Sequence, residues 1–66
     1  MNVVLNGTPK QVSENTTLEV LLRDFGFPER GIAVAVDGSV VPRASWPATG
    51  LHPDATVEVL TAVQGG

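Results

Sequence analysis

Hydrophobic positions along the chain fall into short β-rich runs, interrupted once by a helical spacing. Asn2 to Leu5 is β-rich, and Asn6-Gly7 behind it is a strong two-residue hairpin signal, because both central positions of a type I′ turn need positive φ. The chain then returns through Thr8 to Ser13. Pro9 cannot donate to a ladder, which places it near the strand start or on a sheet edge. Leu18, Leu21, Leu22 and Phe25 follow at i, i+3, i+4 and i+7, one face of a helix of about nine residues. Thr16-Thr17-Leu18-Glu19 fits a capping box, in which the Thr16 hydroxyl accepts the third helical N–H and Glu19 reaches back to the cap. Gly26 supplies a left-handed stop, and Pro28 prevents resumption. A helix this short is unstable alone and must pack on a sheet.

Beyond it, Ile32-Ala33-Val34-Ala35-Val36 is a continuous apolar run between Gly31 and Asp37-Gly38, read as a central strand. Asp37-Gly38 is a second hairpin signal, with a return through Ser39-Val40-Val41 that Pro42 ends. Arg43 to Leu51 reads as a loop or a short helical turn carrying the single tryptophan, and Thr56 to Val63 reads as the last strand. A hairpin, a crossover helix on one sheet face and a last strand returning to the middle of the sheet build an α+β β-grasp fold. The first and last strands then run parallel, so the sheet is mixed, with four to five strands and one helix packed across it. Residues 1–66 are expected to form one domain.

Composition narrows the chemistry. Sixty-six residues lie near the lower size limit for a stable core, yet 42% are apolar and several runs are β-branched. The absence of cysteine rules out disulfides, thiolate metal sites and a cysteine nucleophile. The net charge is −3, and Lys10, Arg23, Arg30 and Arg43 are too scattered to form a stripe that neutralises phosphates, so nucleic acid is not the expected partner. No apolar stretch is long enough to span a membrane, and a soluble, cytoplasmic protein is expected. There is no glycine-rich loop leading into a helix with a lysine, so any ATP chemistry belongs to a partner. Asp24, Glu29, Asp37, Asp54 and Glu58 read as surface charges and not as an acid/base couple. His52, alone in a Pro-flanked loop, has no second ligand and no nucleophile to serve, and is expected to have no function. Trp46 reads as a packing residue closing one end of the core, and Arg43 as a solvated or ion-paired side chain, with partner contact the second reading for each.

The terminal stretch Val63-Gln64-Gly65-Gly66 is the candidate functional element. An apolar strand leads into two glycines with only Gln64 between. Lacking Cβ atoms, Gly65 and Gly66 can thread a channel too narrow for side chains. Five extended residues from Ala62 onward reach roughly 16 Å, enough to place the Gly66 carboxylate inside another protein's active site. That carboxylate is ionised at neutral pH and is a poor acyl donor until it is activated. Exposed parts of the Ile32 to Val36 strand and of the last strand would form a docking surface.

These residues resemble the ThiS family of thiamine-biosynthesis sulfur carriers, ubiquitin-like β-grasp proteins, over essentially the whole chain. The resemblance is carried by Asn6-Gly7, the Gly31 to Gly38 run, Val40-Val41-Pro42-Arg43 with Trp46, and Thr61-Ala62-Val63-Gln64-Gly65-Gly66. It departs before the last strand, where the family usually has Gly-Asp and this chain has Pro53-Asp54-Ala55. Asp54 is expected to hold the left-handed turn there.

The resemblance implies that a ThiF-like adenylating enzyme uses ATP and magnesium to activate the Gly66 carboxylate. It implies further that a persulfide sulfur, ultimately from a cysteine desulfurase, converts it to a thiocarboxylate, and that a ThiG-like thiazole synthase receives the sulfur. Gly66 is then the modified residue, and Val63, Gln64 and Gly65 are tail contacts with partners. The protein itself binds no cofactor or metal and is a co-substrate, not an enzyme. The alternatives are a sulfur carrier for molybdopterin, cysteine or siderophore synthesis, a ubiquitin-like modifier of proteins, or an interaction module whose tail is irrelevant.

Overall fold

The computed structural model describes residues 1–61. Five strands form one mixed sheet: β1 (Asn2–Leu5), β2 (Thr8–Gln11), β3 (Ile32–Val36), β4 (Ser39–Val40) and β5 (Thr56–Thr61), ordered β2-β1-β5-β3-β4. β5 is the central strand. It runs parallel to β1 (Val4↔Thr56, Leu5↔Val57) and antiparallel to β3 along its length, from Val36↔Val57 to Ile32↔Thr61. The β-grasp arrangement expected from the order of elements is the one found. Ile32 to Val36 is not the middle strand, however. β3 has β5 on one side and only the two residues of β4 on the other. Its apolar run is continuous because Val34 is buried while the small residues Ala33 and Ala35 face outward.

One helix, α1 (Leu18–Asp24), crosses the inner face of the sheet and buries Leu18, Leu21 and Leu22 there. These pack with Val3, Leu5, Val34, Val57 and Val59, the inward positions of the strands. α1 has seven residues, and its cap is one residue later than the sequence suggests. The Thr17 hydroxyl accepts the Val20 N–H at 3.3 Å, whereas the Thr16 hydroxyl donates to the Ser13 carbonyl. Thr16 is drawn off because its own carbonyl takes the Leu51 N–H, which pins the helix start to the segment after the tryptophan.

At the other end Gly26, with φ +80°, closes a Schellman motif: its N–H bonds the Arg23 carbonyl and the Phe27 N–H bonds the Leu22 carbonyl. The helix thus stops before Phe25, which is its C-cap, lies 38% exposed and carries the Lys10 ammonium 5.3 Å from its ring centroid. Phe25 is therefore not part of the buried face. A 3₁₀ helix (Arg43–Ala48) closes the remaining side of the core with Trp46, which is buried and donates its indole N–H to the Val41 carbonyl at 3.0 Å. Trp46 is the packing residue that its composition suggested.

Candidate functional site

Site geometry follows from what holds β5, since this strand leads to the candidate tail. Two hairpin turns of one backbone type flank it. Asn6 and Gly7 have φ 49° and 81°, and Asp37 and Gly38 have φ 50° and 86°, the positive pairs of type I′ turns. Both turns reach across to β5 with the side chain of their first residue.

Asn6 does so with both ends of its carboxamide. Its Oδ1 accepts the Val59 N–H at 2.8 Å and its Nδ2 donates to the Val59 carbonyl at 3.3 Å, while the Asn6 backbone N–H bonds the Val57 carbonyl at 2.9 Å. Asp37 reaches the beginning of the strand instead. Its Oδ1 accepts the Thr56 N–H at 2.9 Å, its backbone N–H bonds the Thr56 carbonyl, and its Oδ2 meets His52 Nε2.

The other ring nitrogen of His52 lies 2.8 Å from the Pro53 carbonyl. Both nitrogens therefore face acceptors, an arrangement that only the imidazolium satisfies with two donated hydrogen bonds. The hydrogen bond to Asp37, followed by the one to Pro53, raises the His52 pKa above 6.5. The Thr56 N–H, followed by His52, holds Asp37 below its ordinary 3.8. His52 is thus not isolated, and Asp37 is more than a surface charge. Their partnership joins residues fifteen apart, and only the meeting of the β3–β4 turn with the approach to β5 brings it about. Asp54, at φ 65°, holds the left-handed position expected for it in that approach.

The sheet's outer face is open. Strand register places Asn2, Val4, Pro9, Gln11, Ala33, Ala35, Val40, Thr56, Glu58 and Leu60 on it. Leu60 is 70% and Val40 76% exposed, and with Ala33, Ala35 and Gly38 they line a shallow depression of about 150 Å³ beside Glu58. Among the described residues Glu58 is the single charged side chain of this face. Lys10 lies across the ladder from buried Val3, Arg23 is on α1 and Arg43 is on the 3₁₀ helix. Arg43 approaches Glu29 to 4.0 Å with both side chains exposed, an ion pair of little consequence for stability. A second, larger groove of about 390 Å³ lies on the helix side, between α1 and the 3₁₀ helix. Val63, Gln64, Gly65 and Gly66, the tail residues singled out by sequence, lie outside the described residues. No group of three or more potential metal ligands occurs among the described residues, and no helix of the described chain is long and apolar enough to cross a membrane.

This is a ubiquitin-like β-grasp domain whose central strand leads toward the candidate tail beside an open apolar face. Comparison with known proteins makes the class specific. The profile of the ThiS family matches residues 3–66, and the chain belongs to that family. The crystal structure of the thiamine biosynthesis protein ThiS from Geobacter metallireducens superposes with a TM-score of 0.86 at 29% identity, covering all of both chains. Among curated relatives, a thiazole synthase from Magnetococcus marinus is 38% identical over all 66 residues, and the uncharacterized protein ycf40 of Porphyra purpurea is 29% identical, with 93% of its length covered. The chain spans only 20% of the length of the Magnetococcus thiazole synthase, and likewise 20% of a second one from Paramagnetospirillum magneticum.

Proposed function

We propose that the protein is a sulfur carrier for thiazole formation in thiamine biosynthesis, acting as co-substrate and not as catalyst. The observation that carries this reading is the ThiS family match over residues 3–66. The chemistry starts with a partner enzyme of the ThiF kind, which joins the Gly66 carboxylate to the AMP moiety of ATP, with magnesium, and releases pyrophosphate. A persulfide sulfur supplied by a cysteine desulfurase system then attacks the acyl carbon, the C–O bond to AMP breaks, and an acyl disulfide results. A thiol reductant cleaves its S–S bond and leaves the thiocarboxylate on Gly66. Water would hydrolyse the adenylate, so the partner has to enclose Gly65 and Gly66 while Val63 and Gln64 make contacts at its entrance.

Support for a thiazole synthase as the sulfur acceptor comes from the relatives of that name, in which a segment resembling this whole chain makes up one fifth of a longer protein. The apolar outer face around Glu58 supplies a docking surface on the strand that leads to the tail, so binding energy gained there would position the carboxylate for attack.

Intact mass after incubation with ATP, magnesium, a sulfur donor and a ThiF-like enzyme tests the reading. A gain equal to exchanging one oxygen for sulfur, lost on deletion of Gly65 and Gly66, is the expected result. An unchanged mass with a folded protein would overturn it, and an isopeptide adduct on lysines of other proteins would favour a protein modifier.

A further inference from the structure

The side chain of Asn6 occupies the place of a strand. β1 pairs with β5 only as far as Leu5↔Val57, because the chain turns away at Asn6-Gly7. In a continued parallel ladder the next β5 residue to face β1, Val59, would give its N–H to one β1 carbonyl and accept the N–H from two residues further on. Asn6 supplies both partners from one carboxamide, Oδ1 for the N–H and Nδ2 for the carbonyl. Pairing on that side of β5 thus extends by one rung, to Val59. On the other side β3 holds β5 through Thr61. Without the carboxamide, two-sided support would stop at Val57, and residues 58–61, the root of the tail, would be held by β3 alone.

We infer that Asn6 is a positioning residue for sulfur transfer: its carboxamide clamps β5 at Val59 and thereby fixes the point from which residues 62–66 are presented to a partner's active site. This rests on the carrier reading for its functional half. The choice of Asn at this turn fits the role. Asp-Gly and Gly-Gly form the same type I′ turn, yet a carboxylate accepts without donating, and glycine does neither. Asn6→Gly and Asn6→Asp therefore keep the turn and remove the clamp wholly or by half.

The experiment uses the full chain with either substitution, and circular dichroism shows whether each is folded. Amide exchange at Val59 is expected to quicken about two- to tenfold more than at Asp37 in Asn6→Gly, through loss of the one ordinary hydrogen bond that the Val59 N–H makes to Oδ1. The Asp37 amide, bonded to the Thr56 carbonyl at the far end of β5, serves as the reference, since it follows the global loss of stability alone. With a ThiF-like enzyme and ATP, kcat for adenylation should fall about threefold or more while KM for the carrier changes less than about twofold, a split that a merely less stable but folded protein would not give. Asn6→Asp should fall between Asn6→Gly and the parent protein.

A change at Val59 no greater than the change at Asp37 in Asn6→Gly would overturn the clamp. Faster exchange with unchanged kcat would overturn its role in positioning. A parent protein that is not adenylated at all would overturn the carrier reading and the positioning role that rests on it, while the exchange result would still decide whether the clamp exists.

Discussion

The Asn6-Gly7 and Asp37-Gly38 turns share one backbone and differ in chemistry. Both are type I′, both send a side chain to the central strand, and they grip it from opposite sides and at opposite ends. The Asn6 grip is neutral and bonds only to the backbone of Val59. The Asp37 grip is ionic, with a carboxylate between the Thr56 N–H and the His52 ring, both side chains of the pair being exposed. A turn motif thus fixes the direction of the chain, while the identity of its first side chain decides whether the anchorage depends on pH and salt. The end of β5 nearer the tail has the anchor that does not titrate.

Four experiments separate the two grips. The largest effect comes from a change that weakens both alike. Leu22→Ala, at a position 2% exposed beneath the sheet, should destabilise the domain by about 2–5 kcal/mol and raise amide exchange at Val59 and Asp37 together. A selective rise at one turn would mean that the turns open independently of the core. Next is Asn6→Gly. Two lost hydrogen bonds of about 0.5–1.5 kcal/mol each predict a drop of about 1–3 kcal/mol in urea unfolding that is the same at pH 5 and pH 8. A drop that grows with pH would couple the neutral grip to a titrating group.

The third experiment reads the ionic grip. The folded-state pKa of His52 is raised above 6.5, so its contribution is fully present below that value and is lost as pH rises through the folded pKa. The folded-state pKa of Asp37 is lowered below 3.8, so its contribution is present above that value and is lost as pH falls through the folded pKa. The grip is complete between 3.8 and 6.5. His52→Asn should flatten the alkaline side of a Tm-against-pH curve and leave Asn6→Gly's deficit untouched; an identical curve would remove His52 from the account. Smallest is the salt effect. About 1 M sodium chloride should shift the His52 titration, followed by NMR, toward 6.5 without changing exchange at Val59, since charges this exposed are screened.

The two turns also show where sequence reading succeeds and where it stops. Asn-Gly and Asp-Gly announce themselves because the requirement for positive φ is local, and the core positions Leu18, Leu21 and Leu22 follow from helical spacing. The helix cap was displaced by one residue because Thr16 is engaged by Leu51, thirty-five positions away in the chain. Phe25 kept the helical spacing, but the helix had already ended. The middle place of β5 followed from the order of elements, whereas the most apolar run, Ile32 to Val36, read as a central strand on hydrophobicity, lies one place out, between β5 and β4. His52 was unreadable because its partner is local in space alone. That the open face would involve β3 and β5 was legible; which residues are bare, Leu60 and Val40 above all, required the register. The tail lies beyond the described residues and is legible only in the sequence.

The brevity of β4 and the proline in β2 govern how other chains can meet this sheet. One margin has two residues, with Pro42 two positions beyond its end; the other carries Pro9, with no N–H to offer. Neither rim provides a run of free peptide groups on which a foreign strand could template itself, the usual route by which a small sheet protein recruits copies of itself into fibrils. The bare Leu60 and Val40 are therefore available for contact through the face, while growth of the sheet edge to edge is disfavoured at both margins of the described sheet.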